Sequence, residues 1–147
     1  MKIYKSRSPE ETKKIAGSFA AGLHPGDVVC LSGDLGAGKT AFVQGLAEGL
    51  GIEEYVNSPT FTIVNEYEAG IPLYHFDVYR IDDSDELYEI GYEEYIDGDG
   101  VTVIEWPQKI IDILPRQRYD IEILKEDADE NSRLIRISEP GEKEEVR

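Results

Sequence analysis

The sequence predicts an α/β fold in which one mixed β-sheet carries helices on both faces. The first observation is a short apolar run, Val28–Leu31, that leads into the segment Gly33–Thr40. This segment matches G-x-x-x-x-G-K-[ST], the phosphate-binding P-loop, and helical apolar spacing follows it. The second observation is a pair of candidate hairpins downstream, which makes the sheet mixed rather than purely parallel. Together they predict a P-loop NTPase-like domain.

The P-loop pattern needs its residue types for physical reasons. Its glycines let successive backbone N–H groups turn inward around a polyphosphate. Lys39 is expected to reach the β- and γ-phosphates, and the Thr40 hydroxyl to bind Mg²⁺. The helix behind the loop directs its positive N-terminal end at the same anion. The candidate cofactor-binding residues from this motif are Gly33, Gly36, Gly38, Lys39 and Thr40.

Two helices flank the strand that carries the loop. Ser8, Pro9 and Glu11 form a helix start, with Ser8 as N-cap and Glu11 closing a capping box. The buried stripes are predicted from apolar spacing, and Gly51 ends the second helix. The predicted stripes are Ile15, Phe19 and Leu23 in the first helix, and Phe42, Leu46 and Leu50 in the second.

The rest of the chain alternates strands and helices. Lys2–Lys5 predicts an edge strand, and Gly91 interrupts one of the predicted helices. The further elements are a hairpin of strands 58–67 and 73–80, a helix over 83–96, a buried strand over 101–104, a short helix over 108–114, and a final hairpin of strands 119–124 and 134–138.

Two carboxylates come directly after apolar strands downstream of the P-loop. Asp77 ends Leu73–Asp77 and Glu105 ends Val101–Glu105, which is where a P-loop enzyme holds Mg²⁺ and orders a water. Each is also consistent with an ordinary strand-end carboxylate that faces water. His75 shares a strand face with Asp77, and we expect it to form a hydrogen bond or to pack rather than to catalyse.

Two further residues have both a functional and a structural interpretation. Trp106, the sole tryptophan, is predicted to stack near the nucleotide, and it suits a core aromatic equally well. Thr60 follows Ser58-Pro59 and is the candidate hydroxyl of a γ-phosphate-sensing loop. The other interpretation of that segment is a plain Ser-Pro turn before a strand.

Composition limits the classes of partner. The net charge is −16, and the stretch from Ile15 to Gln108 holds 18 acidic residues against two basic ones, Lys39 and Arg80. This charge opposes direct docking on nucleic acid or an anionic membrane. No apolar run approaches about 18 residues, so a cytoplasmic protein without membrane contact is expected. We predict one domain over 1–138 and a mobile, acidic tail over 139–147, with Cys30 a core hydrophobe.

Four motifs in order resemble those of the TsaE family, also called YjeE or YdiB. They are Gly33–Thr40, Ser58–Thr62, Tyr74–Arg80 and Glu105-Trp106-Pro107. The resemblance implies a small ATPase that uses ATP/ADP and Mg²⁺ in the synthesis of threonylcarbamoyladenosine at position 37 of tRNA. It also implies TsaD and TsaB as partners, so that tRNA is reached only through them.

The resemblance also assigns site residues. The loop positions run from Leu35 through Gly36, Ala37, Gly38 and Lys39 to Thr40. The magnesium and catalytic carboxylates fall on Asp77 and Glu105, beside Trp106. A nucleotide-contacting arginine of the last hairpin falls on Arg133. The predicted catalytic set is therefore Lys39, Asp77 and Glu105, and the metal set is Thr40, Asp77 and Glu105.

Other P-loop proteins are the alternatives. A small-molecule or nucleotide kinase clamps phosphoryl groups with arginines, and this chain has no arginine cluster between Lys39 and Gln108. A GTPase needs an Asn-Lys-x-Asp segment to recognise guanine, and the chain has none. A nucleotide-regulated interaction module needs the same P-loop and stays open.

Overall fold

The computed structural model describes residues 1–34, 36–57, 63–126 and 129–142. Within them, seven strands form one sheet in the order β1-β7-β6-β2-β5-β4-β3. The strands are β1 Lys2–Ser6, β2 Val28–Ser32, β3 Val64–Tyr67, β4 Leu73–Asp77, β5 Val101–Glu105, β6 Tyr119–Lys125 and β7 Arg133–Ser138. The helices are α1 Pro9–Ala20, α2 Lys39–Gly49, α3 Asp85–Glu89 and α4 Tyr92–Ile96, with 3₁₀ turns over Pro107–Ile113.

The middle of the sheet is parallel and its edges are antiparallel. Strand β2 pairs in parallel with β5 on one side and β6 on the other, and β5 pairs in parallel with β4. The two hairpins, β3–β4 and β6–β7, add the antiparallel pairs, and β1 closes one edge against β7. The mixed sheet predicted from the sequence is confirmed.

Helices cover both faces, as predicted. Alternate residues of β2 point to opposite sides, because strand side chains have a period of two. Val29 and Leu31 belong to the core under α1 and α2. Val28 and Cys30 belong to the core under α3, α4 and the 3₁₀ turns. Cys30 is 2% exposed, so its predicted place in the core is confirmed.

Two predicted helices differ from those observed. The segment 83–96 is two short helices rather than one, because Gly91 adopts φ +83° and starts α4 as its N-cap. Residues 108–114 were predicted as a short helix, and 3₁₀ turns over Pro107–Ile113 with a kink at Ile110 take its place.

The second strand of the first hairpin is also shorter than predicted. It ends at Asp77 rather than Arg80, because Asp77 Oδ1 accepts a hydrogen bond from the Tyr79 N–H at 3.0 Å and the chain turns. The first part of the partner strand, residues 58–62, lies outside the described residues.

The start of α1 is as predicted, whereas its buried stripe is correct only for Leu23, which is buried in the core just beyond the end of the helix. Ser8 Oγ accepts the Glu11 N–H at 3.1 Å, as an N-cap should. The fully buried residues of the helix are Thr12, Ala16 and Ala20, whereas the predicted Ile15 and Phe19 are partly buried at the sides. Small residues occupy the contact because α1 and α2 cross very closely.

The described part of the chain contains no helix long and apolar enough to span a membrane. Of the predicted tail, residues 139–142 are described and 143–147 lie outside the described residues. The Glu142 carboxylate accepts a hydrogen bond from the Met1 ammonium. The domain boundary at residue 138 and the mobility of the tail remain predictions.

The close crossing of α1 and α2 gives a stability prediction. A Cβ at Gly45 would lie 2.3 Å from the Lys13 carbonyl oxygen, so the helices must separate to admit it. We expect Gly45→Ala to lower the free energy of unfolding by about 1–3 kcal/mol, although alanine is the better helix former. Urea unfolding measures the loss. Gly70→Ala is the control, because no atom lies within 4 Å there. Equal midpoints for the two variants would contradict the prediction.

Candidate phosphate-binding site

The loop between β2 and α2 has the backbone that a phosphate-binding loop needs. Gly36 and Gly38 have φ values of +77° and +110°, which favour glycine over residues with a Cβ. A Cβ at Gly33 would lie 2.7 Å from the Ile123 carbonyl oxygen, so the loop passes directly against β6. Leu35 lies outside the described residues. All three predicted glycines therefore have a steric reason for their identity.

Lys39 begins α2 and is unusually buried for a lysine. The residue is 6% exposed, and its Nζ has no hydrogen-bond partner among the described residues. The ammonium lies 3.6 Å from the centre of the Trp106 ring, where a cation–π interaction offsets part of the lost hydration. Burial lowers the pKa of Lys39, while nearby Glu105, Asp77 and Asp34 oppose that shift.

The two predicted carboxylates lie side by side at the carboxyl ends of parallel strands. Asp77 of β4 is the register partner of Glu105 of β5, which in turn is the partner of Leu31 of β2. Ligand sites of open α/β sheets lie at this edge. Burial raises the pKa of Asp77, and the Tyr79 N–H opposes the rise. The sheet thus places both carboxylates beside the end of the P-loop strand.

Glu105 is buried and has a defined partner. Its Oε2 lies 2.5 Å from His75 Nε2, and both side chains are almost inaccessible to solvent. The prediction that His75 forms a hydrogen bond is confirmed.

Trp106 connects the loop lysine to the outside of the site. It has φ +63° and is the one non-glycine residue with positive φ in the described ranges. The centre of its ring lies 4.7 Å from that of exposed Tyr79 and 3.6 Å from Lys39 Nζ. Trp106 is only partly buried, at the margin of the core under α3, α4 and the 3₁₀ turns. Stacking on a nucleotide remains a prediction.

Arg133 braces the loop from the last hairpin. Its Nε donates to the Ala37 carbonyl at 2.8 Å and its Nη2 to the Gly36 carbonyl at 3.3 Å. Lys125, the register partner of Arg133, brings its Nζ close to Gly36 as well. A shallow cleft beside Arg133 is lined by the first turn of α1 and by the loop, including Ser8, Pro9, Thr12, Ala37 and Gly38.

The fold gathers most of the predicted site. Lys39, Asp77, Glu105 and Trp106 lie close together at the mouth of the loop, and Arg133 contacts the loop from one side. Thr40 is exposed at the start of α2. Thr60 lies outside the described residues, so its role in sensing the γ-phosphate stays a prediction.

Sequence reasoning did not anticipate three features of the site. The pairing of His75 with Glu105 depends on strand register, which periodicity alone does not give. Tyr79 against Trp106 and Lys125 beside Gly36 also depend on which strand ends meet.

The fold and this site define an α/β protein of the P-loop type. A family model described as threonylcarbamoyl adenosine biosynthesis protein TsaE matches residues 6–135. A TsaE protein of Bacillus subtilis is 52% identical over 128 residues, covering 86% of this chain and 80% of that protein. Another, of Aquifex aeolicus, is 44% identical over 135 residues, covering 88% and 90%. The chain also resembles the crystal structure of B. subtilis YdiB, with a TM-score of 0.82 and 42% identity over 99% of this chain and 89% of that one.

The chain therefore belongs to the TsaE family. Both relatives are named tRNA threonylcarbamoyladenosine biosynthesis protein TsaE. The resemblance read from four short motifs is confirmed over nearly the whole chain.

The burial of Lys39 gives a second stability prediction. Lys39→Met keeps an unbranched side chain against Trp106 and removes a buried ammonium without a hydrogen bond, so we expect it to raise the free energy of unfolding by about 1 kcal/mol. The pKa of Lys39 is lower in the folded state than its ordinary value of 10.5. At a pH between the folded-state pKa and 10.5, the unfolded state therefore binds more protons than the folded state. Wild-type stability therefore rises with pH across this window.

The gain from Lys39→Met should accordingly be largest at neutral pH and should shrink as pH approaches 10.5. Urea unfolding at neutral pH and close to pH 10.5 measures this gain in the free energy of unfolding. Lys14→Met, at an exposed lysine of α1, is the control and should give no comparable gain. A destabilised Lys39→Met protein at neutral pH would show that the ammonium stabilises the fold.

Proposed function

We propose that this protein binds and hydrolyses ATP with Mg²⁺ at the P-loop. The observation that carries the proposal is the Lys39 ammonium, buried at the mouth of the loop without a hydrogen-bond partner among the described residues. A buried cation without a hydrogen-bond partner has lost hydration free energy, and an anionic ligand would restore it by forming charge-assisted hydrogen bonds. Two carboxylates next to a loop that accepts phosphate suit a metal–nucleotide complex rather than a bare anion.

The donor set fits Mg²⁺. No group of three or more His, Cys, Asp or Glu side chains that would form a protein-only cage occurs within the described ranges. Mg²⁺ is commonly held by one or two carboxylates together with substrate phosphates and water, and the Thr40 hydroxyl, Asp77 and Glu105 supply hard oxygen ligands of this kind. When bound, the ion would neutralise charge that develops on the transferred phosphoryl group.

The remaining side chains have roles in the same proposal. Lys39 leaves the Trp106 ring to contact the β- and γ-phosphates, and the backbone N–H groups of the loop hold the rest of the polyphosphate. Arg133 and the cleft beside Ser8 and Pro9 suit the nucleoside, since they border the loop on its outer side. Glu105 orients the attacking water, and Asp77 supports the metal.

The nucleotide assignment predicts different effects for the lysine and the carboxylate. Lys39→Ala should weaken ATP binding about tenfold or more, because it removes a charge-assisted contact to phosphate. Glu105→Gln should lower turnover about a hundredfold and leave ADP affinity nearly unchanged, because Glu105 positions the metal and the water near the γ-phosphate, which ADP lacks. Calorimetry with ATP and ADP and a phosphate-release assay measure both effects.

Glu68→Gln is the matched control, because Glu68 is exposed in the turn of the first hairpin, away from the loop. It should retain both affinity and rate. Unchanged ATP affinity in Lys39→Ala would refute the phosphate site. A wild-type protein that binds ATP and never hydrolyses it would favour the nucleotide-regulated interaction module.

We also propose that this ATPase serves threonylcarbamoyladenosine formation on tRNA in the cytoplasm, together with TsaD and TsaB. The family membership and the names of the relatives support a role in threonylcarbamoyladenosine biosynthesis. The partner assignment rests on the family resemblance. A stretch with 18 acidic and two basic residues is unsuited to a tRNA backbone, so the partners are expected to hold the tRNA.

Turnover by the isolated chain should be slow and should increase when TsaD and TsaB are added. Phosphoryl transfer with an arginine finger gains roughly 10³–10⁵ in rate, and between Ile15 and Gln108 this chain offers one arginine, the exposed Arg80. A partner that binds the acidic surface should also dissociate more readily as salt rises. Phosphate release with and without both partners, over a salt series, measures this.

Arg80→Ala separates the two sources of a finger. If a partner supplies the cation, the variant retains the stimulated rate. If the variant folds, binds ADP and loses that rate, the arginine acts in cis. An isolated chain that already turns over at the rate of the complex would contradict partner activation.

A further inference from the structure

We propose that His75 is a positioning residue that holds the Glu105 carboxylate for the metal and the attacking water and keeps it from pairing with Lys39. This inference rests on the proposed ATPase function and extends it to a residue outside the predicted catalytic, binding and metal sets. It depends on four observations: the hydrogen bond, its burial, the unpartnered second nitrogen of the ring, and the unpartnered ammonium of Lys39.

The first two observations are geometric. His75 is on β4 and Glu105 on the neighbouring parallel strand β5, with Val103 as the register partner of His75. Their side chains meet at 2.5 Å between Nε2 and Oε2, with 1% and 4% of the side chains exposed. Water therefore cannot easily replace either partner. A hydrogen bond to a buried carboxylate fixes the carboxylate rotamer more strongly than one at the surface.

The third observation assigns the proton. His75 Nδ1 is buried and has no hydrogen-bond partner among the described residues. A proton on Nδ1 would be left without an acceptor, whereas a bare lone pair there costs less. The arrangement therefore favours a proton on Nε2, which donates to Glu105 Oε2. One carboxylate oxygen is then committed to His75, and Oε1 is left to face the site.

The fourth observation shows what this contact prevents. The Lys39 ammonium lies 3.6 Å from the centre of the ring of Trp106, the residue that follows Glu105, so its charge and that of the carboxylate attract each other. Yet Lys39 Nζ has no hydrogen-bond partner in the described part of the chain, and the partner of Glu105 is His75. By holding Glu105 back, His75 keeps the lysine available for phosphate and the carboxylate available for the metal.

Three substitutions at His75 test the role. His75→Leu fills the space and offers no donor, and His75→Gln brings an amide N–H close to the position of Nε2. His75→Asn carries the same amide on a shorter side chain, near the position of Nδ1. Removing a group that orients a metal ligand typically costs about 10–100-fold in metal affinity or activity. We expect kcat to fall by about that factor in His75→Leu and His75→Asn, with partial recovery in His75→Gln.

Two readouts separate positioning from general damage. The Mg²⁺ concentration for half-maximal turnover should rise about 10–100-fold in His75→Leu, while ADP affinity without metal stays close to the wild-type value. Mn²⁺ binding to the ADP complex, followed by electron paramagnetic resonance, should weaken in parallel and requires no turnover. Val101→Ala is the control, because it removes packing at the start of β5, the strand that ends at Glu105. This variant should lose stability and keep the wild-type Mg²⁺ dependence.

A third readout concerns the tautomer directly. The chain has two histidines, His24 and His75, so ¹⁵N-labelled histidine gives a simple spectrum. We expect His75 to show the Nε2–H tautomer and its signals to move in Glu105→Gln. Exposed His24, next to a turn, serves as the internal reference.

The outcomes are separable. A wild-type protein without Mg²⁺-dependent hydrolysis would refute the proposed function, whereas the tautomer would still report on the contact. A His75→Leu protein with the wild-type rate and Mg²⁺ dependence would refute the positioning role. If His75→Leu does not fold, the Gln–Asn pair decides, and equal loss of rate in both would refute it. An Nδ1–H tautomer would also overturn the inference.

Discussion

The parallel pairing of β2 with β5, and of β5 with β4, is the constraint on which the site depends. Parallel strands bring their carboxyl ends to one edge, so three segments that are distant in the chain deliver the P-loop, Glu105 and Asp77 to neighbouring positions. The hydrogen-bonding ladder fixes these positions to within one residue, because a slip by one would turn each side chain to the opposite face.

The site holds charged groups in surroundings that disfavour their charge. Burial lowers the pKa of Lys39 and raises that of Asp77, so both charged forms are disfavoured in the folded chain. Trp106 adds a backbone in the left-handed region without being glycine. Perturbed titrations and backbone outliers cluster at functional sites, where a ligand relieves them. The cation–π contact with Trp106 is a partial substitute for such a ligand, since it offsets the burial of the lysine without forming a hydrogen bond.

Local patterns predicted much of this structure, and pairings between strands account for what they missed. The P-loop, the Ser8 N-cap and the strands that end at Asp77 and Glu105 follow from short stretches of sequence, and each is confirmed as an element. The prediction of one helix over 83–96 was wrong because Gly91 adopts a left-handed backbone conformation that ends the first helix and starts the next. Two of the three residues predicted to be buried along α1, Ile15 and Phe19, are only partly buried, because the glycines of α2 admit a closer crossing than apolar spacing implies. The contact of His75 with Glu105 requires the sheet register, which no local pattern contains.

The place of β2 between β5 and β6 also has a consequence for how the chain reaches its native state. The strand before the P-loop is complete by residue 32, but one of its two neighbours is not made until residues 119–125. The first strand, β1, waits longer still for β7 at residues 133–138. Contacts of such large sequence separation are costly in loop entropy and form slowly. During synthesis on the ribosome, one edge of β2 must therefore stay unpaired until most of the chain has been made.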